Sequence, residues 1–65
     1  MNIIWQENIV LKSNEIRKKV GVGDQWQGVS VKDRISPFMG IQVAEIEHEG
    51  ITYRNVPTDW YLIEN

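Results

Sequence analysis

Hydrophobic and polar residues alternate along much of the chain, and the apolar positions are mostly β-branched. Nine Ile and seven Val stand against two Leu, two Met and one Ala. Branching at Cβ restricts χ1 in a helix and packs well on a pleated sheet, so the pattern predicts a mainly β protein. We expect residues 1–65 to form a single domain of five or six short strands. Closing them into a small, partly open barrel would leave few unpaired edges.

The segment from residue 41 to residue 56 predicts a hairpin closed by the two-residue loop Glu49-Gly50. Glycine supplies the positive φ that such a loop requires. The loop fixes a register of opposed pairs: His48–Ile51, Glu47–Thr52, Ile46–Tyr53, Glu45–Arg54, Ala44–Asn55 and Val43–Val56. This register gathers large apolar side chains on one face and opposes Glu45 to Arg54 on the other, and both arrangements favour pairing.

Three further stretches have the pattern of strands. Residues 3–5 and 9–11 flank a polar segment and predict either a strand pair or one bent strand. Residues 26–36 alternate, and Asp33 falls on the apolar side of that alternation. A bulge or an early strand end is therefore expected at Asp33. A last strand, residues 60–64, follows a turn that contains proline.

One segment departs from the strand pattern and predicts a short helix over about residues 13–20. Ser13 is a suitable N-cap, and Gly21 can end the helix in a left-handed conformation. Three cations near the expected C-terminus would interact favourably with the helix dipole: Arg17, Lys18 and Lys19. Two turns are unstable alone, so this helix would have to pack on the sheet.

The composition excludes several classes of protein. There is no cysteine, which rules out disulfides and thiolate metal sites. The net charge of −2 lacks the positive excess typical of nucleic-acid binders. The longest apolar run, residues 60–63, is far shorter than the roughly 20 residues that span a bilayer. The N-terminus has no basic leader, so we expect a cytoplasmic protein without signal peptide or membrane contact.

The segment Val56-Pro57-Thr58-Asp59-Trp60-Tyr61-Leu62 resembles the end of an SH3 domain. The resemblance runs from Gly50 to Leu62 and implies an SH3-like barrel. In that family the proline and the aromatic residue line a groove for proline-rich peptides, which carries over to Pro57 and to Trp60, or to Tyr61 with a shift of one residue. The family's N-terminal aromatic–acidic signature and its paired central tryptophans are absent here.

The sequence gives no indication of catalysis. His48, the only histidine, is expected at a solvated hairpin tip. Strand alternation places Glu47 and Glu49 on the opposite face, so the three side chains form no metal cluster. None of the three serines has this histidine in an obvious relation to it. We therefore expect a non-enzymatic protein with no catalytic residue, metal or cofactor.

Protein–protein interaction is the favoured function, because a core of this size is not expected to bury six aromatic rings. Trp, Tyr and Met are enriched at the centres of interfaces. Phe38 and Met39, in a loop with proline and glycine, are the main expected anchors, although such a loop could instead fold back on the barrel. Trp26 and Trp60 are also expected anchors that could instead pack on the barrel. Pro57 is a further expected anchor because of the resemblance to SH3 domains.

The rest of the expected partner chemistry follows from charge and size. Trp5 and Tyr53 are assigned to the core, and a rim of acidic residues would select a basic partner: Glu45, Glu47 and Glu49. Small acidic chains of this kind are typical of accessory or inhibitory proteins of bacteria and phages. An obligate homo-oligomer that completes its core across an interface is a further alternative.

A nucleic-acid interface is the first alternative to a protein partner. If residues 26–36 form one regular strand, Trp26, Lys32 and Arg34 lie on one face. An aromatic ring beside cations is how small barrels hold single strands. Three further cations could contact phosphates: Arg17, Lys18 and Lys19. A solvated strand face and a helix C-terminus are the structural alternatives for these residues.

Overall fold

The computed structural model describes residues 1–14, 16–35 and 40–64 and shows a mainly β chain. This part contains eight short strands rather than five or six. They are β1 (Asn2–Trp5), β2 (Ile9–Lys12), β3 (Arg17–Val20), β4 (Gln25–Trp26), β5 (Ser30–Ile35), β6 (Gln42–His48), β7 (Ile51–Pro57) and β8 (Tyr61–Glu64). A 3₁₀ turn, Thr58–Trp60, connects β7 to β8.

The strands form three small antiparallel sheets, and within the described residues these do not close into a barrel. Their orders are β4–β1–β8, β2–β3 and β5–β6–β7. The expected pairing of residues 3–5 with residues 9–11 is wrong. The first strand instead lies between β4 and β8, because Ile3 and Trp5 are buried there while residues 9–11 pair with β3.

The predicted helix over residues 13–20 is also wrong, since β2 and β3 form a hairpin in this region. Ser13 does accept a hydrogen bond from the Ile16 N–H at 3.4 Å, as an N-cap would. The Ser13 N–H also donates to the Ile16 carbonyl at 3.0 Å, which closes a hairpin loop. Strand pairing buries both Leu11 and Val20, whereas two isolated helical turns would gain little.

The β6–β7 hairpin has the predicted turn and the first half of the predicted register. Glu49 and Gly50 have φ values of 53° and 79°, the two positive angles of a type I′ turn. Pairing follows the prediction down to Ile46 opposite Tyr53. A bulge then places Ala44 opposite Val56, and the extra residue, Asn55, has a φ of 57°.

That bulge changes which side chains face the core. Strict alternation would send Tyr53 inward and Val56 outward, yet both are about 2% exposed. Two residues of β7 lie opposite Glu45 instead of one, which turns Val56 back toward the interior. Asparagine tolerates the left-handed conformation that this extra residue adopts.

Residues 26–35 do not form one regular strand. Strand β4 ends at Trp26, and Gly28, with a φ of 68°, lies between β4 and β5. The two strands belong to different sheets. The bulge or early end expected at Asp33 is wrong, because β5 pairs with β6 without a shift through Ile35. Asp33 faces inward where that strand has passed the edge of the core, and it is exposed.

An aromatic cluster forms the centre of the core. The Trp5 ring is fully buried and stands edge-on to two other rings. Its centroid lies 5.1 Å from that of Trp26 and 5.9 Å from that of Tyr61. Tyr53 packs on Trp26 at 5.5 Å. Burial of Trp5 and Tyr53 confirms their assignment to the core. Within the described residues, the rings of Trp5, Trp26, Tyr53 and Tyr61 are therefore interior, and Trp60 is partly exposed.

Candidate interaction surfaces

Trp26 is a core residue and not an exposed anchor. Its side chain is 6% exposed and contacts Trp5 on one side. The His48 ring stacks on the Trp26 ring, with a distance of 4.4 Å between the ring centroids and an interplanar angle of 13°. Because β4 and β5 are separate strands, Trp26 does not share a strand face with Lys32 and Arg34. The aromatic platform expected for a single-stranded nucleic acid is therefore not assembled from these three residues.

His48 is not the solvated tip residue that the sequence suggested. Its side chain is 15% exposed, because it covers one face of Trp26. Its Nε2 atom lies 3.9 Å from Oε1 of Glu49. The described residues contain no group of three His, Asp or Glu side chains close enough to hold a metal ion. The role of His48 in this fold is packing.

The other expected anchors that the structure describes, Pro57 and Trp60, lie at the connection between β7 and β8. Phe38 and Met39 lie outside the described residues. Pro57 ends β7, Trp60 ends the 3₁₀ turn, and both side chains are partly exposed. Trp60 also packs against the core, and its carbonyl accepts a hydrogen bond from the Gln6 N–H at 2.8 Å.

Cations on the outer face of the β5–β6–β7 sheet are compensated by one carboxylate. Oε1 of Glu45 lies 3.4 Å from Nε of Arg34 and 3.9 Å from Nε of Arg54. Lys32 stands directly opposite Glu45 in the β5–β6 register. Glu45 is therefore committed within the sheet, which leaves Glu47 and Glu49 as the exposed members of the expected acidic rim.

The β2–β3 hairpin has the opposite charge arrangement. Residues 9–20 contain four of the seven cations and one of the nine acidic residues, so the segment carries +3 and the rest of the chain −5. Lys12 stands directly opposite Arg17, and Val10 stands opposite Lys19. All four of these side chains are exposed. Within the described residues, no carboxylate lies within 4.0 Å of the hairpin's cations.

The backbone of β3 offers a free edge on the side away from β2. The Ser13–Ile16 pair is hydrogen-bonded, and pairs alternate along an antiparallel ladder. Lys12–Arg17 and Val10–Lys19 are consequently non-hydrogen-bonded pairs, whose N–H and C=O groups point outward. In the part of the chain that the structure describes, no backbone partner meets Arg17 or Lys19 on that side.

Within the described residues, the last strand, β8, is a second edge with no strand on its outer side, and it is apolar. Leu62 and Ile63 are 59% and 51% exposed. Gln6–Trp60 is a hydrogen-bonded pair in the β1–β8 ladder, so alternation makes Ile63 a residue whose N–H and C=O point away from β1. Sequence reasoning missed this surface, although two adjacent aliphatic residues in a terminal strand were its signal.

Two buried tyrosines, Tyr53 in β7 and Tyr61 in β8, lie near carboxylates. Burial raises the pKa of Tyr53 above its usual value, and the charge of Glu49 adds to the effect. Burial likewise raises the pKa of Tyr61, with a further contribution from Asp33. Both phenols are therefore held in their neutral form well into the alkaline range.

No family model, no curated protein and no solved structure matches this chain. Among the described residues there is also no helix with the length and apolar character needed to cross a bilayer. The surfaces described above are therefore the features that can indicate a function.

Proposed function

We propose that the chain is a non-catalytic binding module that recruits a protein partner at the free apolar edge of β8. The observation that supports this proposal is the exposure of Leu62 and Ile63 on an edge strand. Edge strands of monomeric proteins are usually protected by Lys, Pro or a bulge, and β8 has none of these. Such an edge accepts a further strand.

The occupant that fits this edge is an extended segment of a partner protein. Its backbone would pair with the outward N–H and C=O of Ile63. Its apolar side chains would contact Leu62 on one face of the sheet and Ile63 on the other, because neighbouring residues of a strand point to opposite faces. A strand of four residues supplies few hydrogen bonds, so the two aliphatic side chains would provide much of the affinity.

Photo-crosslinking in the source cells, followed by titration, tests this proposal. A photoreactive residue at position 62 is compared with one at position 22. Val22 is a similarly exposed aliphatic residue, 63% exposed, and it lies in the turn before β4, on the side of β1 away from β8. The protein captured only from position 62 is purified and titrated. We expect Leu62→Lys to weaken binding by about 10-fold or more and Val22→Lys to leave it within about 2-fold.

Two results would overturn the proposal. One is equal capture from positions 62 and 22, or equal affinity of the two lysine variants for the captured protein. The other is a concentration-dependent dimer in sedimentation that Leu62→Lys abolishes and Val22→Lys retains. That second result would make another copy of this chain the occupant of β8.

The SH3 resemblance supports a second candidate, an SH3-like, partly open barrel that binds a proline-rich segment. The observation that favours it is the partial exposure of Pro57 and Trp60 on either side of the 3₁₀ turn. A proline-rich peptide seated there would change the emission of Trp60, since Trp5 and Trp26 are buried. An unchanged emission spectrum throughout a titration with such a peptide would exclude this candidate.

A further inference from the structure

We infer that the free edge of β3 binds an acidic, extended protein segment, which adds to the β2–β3 hairpin as a third strand. The inference combines two independent features of one strand: cations without described partners, and backbone groups without described partners. It concerns a different sheet from β8 and does not depend on the function proposed there.

The charge arrangement of the hairpin is unfavourable for the isolated protein. Lys12 and Arg17 are directly opposed in a non-hydrogen-bonded pair, the kind in which side chains approach most closely. Like charges in that position destabilise a sheet. The predicted helix would have explained Arg17 as a cation at a helix C-terminus, and that explanation is removed because the segment is a strand. An external anion would compensate these charges.

Lys and Arg on an edge strand discourage pairing with neutral or basic strands, so the edge of β3 is selective for an acidic one. The geometry of β3 favours a peptide as the compensating anion. Arg17 and Lys19 point to one face and Lys18 to the other, because side chains alternate along a strand. Carboxylates at alternate positions of an added strand would lie beside Arg17 and Lys19. The same strand would pair with the outward N–H and C=O groups of these two residues. A peptide therefore satisfies the side chains and the backbone together.

Nucleic acid fits the same edge less well. Binding of single strands relies on aromatic rings on which bases stack, and Trp26, the ring expected to serve, is in the core. Phosphates would meet the cations but leave the backbone groups of β3 unpaired. The rest of the chain, at −5, would also repel a long polyanion more strongly than a short acidic segment.

Titration with a defined probe tests the inference. The probe is a fluorescein-labelled peptide in which Glu and Thr alternate, and the comparison ligands are the matching Lys–Thr peptide and a single-stranded oligonucleotide of equal charge. Arg17→Gln/Lys19→Gln removes two cations from β3. Arg34→Gln/Arg54→Gln removes two cations that already contact Glu45, so it is the matched control for net charge.

We expect the acidic peptide to bind, the basic peptide to fail, and added salt to weaken binding. The β3 double variant should lose about 10-fold or more in affinity, and the control double variant about 2-fold or less. Leu62→Lys should leave this affinity unchanged, which separates failure of this inference from failure of the proposal for β8.

Amide hydrogen exchange distinguishes strand addition from loose charge attraction. On binding, the amides of Arg17 and Lys19 should become protected, while the amide of Lys18, which faces β2, should change little. Peptide binding without protection of Arg17 and Lys19 would overturn the inference. So would tighter binding of the oligonucleotide than of the acidic peptide, because nucleic acid would then be the ligand.

Discussion

The β5–β6–β7 sheet and the β2–β3 hairpin differ in whether their cations are paired with carboxylates. In the sheet, Arg34 and Arg54 converge on Glu45, which also stands opposite Lys32. In the hairpin, Lys12 stands opposite Arg17 and no described carboxylate approaches either cation. One region satisfies its cations internally, and the other presents them to the solvent.

The two regions also differ in how much they bury. The sheet contributes Ala44, Ile46, Tyr53 and Val56 to the core cluster. The hairpin contributes Leu11 and Val20, with Ile9 packed at the margin. A two-stranded unit is marginally stable unless it packs on something else. The β5–β6–β7 sheet therefore contributes more of the core than the hairpin, which is attached by few side chains.

The largest expected effect separates the two regions by burial. Ile46 is fully buried in the sheet, so Ile46→Ala should lower the free energy of unfolding by about 2–5 kcal/mol. Val10 is 48% exposed on the hairpin, and Val10→Ala should change it by less than about 0.5 kcal/mol. Urea denaturation followed by tryptophan fluorescence measures both. Similar losses for the two variants would contradict the difference in burial between the sheet and the hairpin.

The next largest expected effect is a loss of stability at alkaline pH, which arises from the core tyrosines of β7 and β8 and not from the hairpin. Tyr53 and Tyr61 have pKa values raised by burial and by Glu49 and Asp33, respectively. The unfolded chain then loses phenolic protons first, at a pKa of about 10, so the native state binds more protons. Stability should be constant below about pH 9 and fall as the pH rises through the native pKa values.

Urea midpoints at increasing pH measure this decline. Asp33→Asn removes the charge near Tyr61 and should lower the pKa of that phenol toward its usual value, which makes the alkaline loss of stability shallower. Substitution of Lys18, an exposed residue of the hairpin, with Gln is the control and should leave the slope unchanged. A stability that stays constant to about pH 11 would show that neither tyrosine is protected from titration.

Where the sequence predicted structure correctly, the signal was local and geometric. Glu49-Gly50 specified a turn with two positive φ angles, and the alternation beside it specified pairing up to Ile46–Tyr53. The alternation did not predict the bulge at Asn55, because it assumes that each residue of one strand lies opposite a single residue of the other. An asparagine between strand-forming residues was the available signal, since asparagine adopts a left-handed backbone more readily than a branched residue does.

The errors arose where a local signal has two structural solutions. A hydrogen bond from the N–H of Ile16 to the side chain of Ser13, three residues earlier, occurs at a helix N-cap and also in this hairpin loop. Trp26 was assigned to a strand face by assuming that the chain continues past Gly28, whereas the chain changes sheets there. Only the packing of Leu11, Val20 and Trp26 in one core decides between the alternatives, and packing depends on residues distant in sequence.

The smallest expected effect tests the charge comparison itself, because one substitution should have opposite signs in the two regions. Lys12→Glu places a carboxylate opposite Arg17 and should raise the free energy of unfolding by about 0.2–1 kcal/mol. Lys32→Glu places a carboxylate opposite Glu45 and should lower it by a similar amount. Urea denaturation at low salt measures both changes, and added salt should reduce them.

Lys12→Glu should also weaken binding of the acidic peptide, so that stability and binding change in opposite directions at the hairpin alone. Equal signs for the two variants would mean that the hairpin's cations are already compensated, and the case for an acidic ligand at β3 would fail with them.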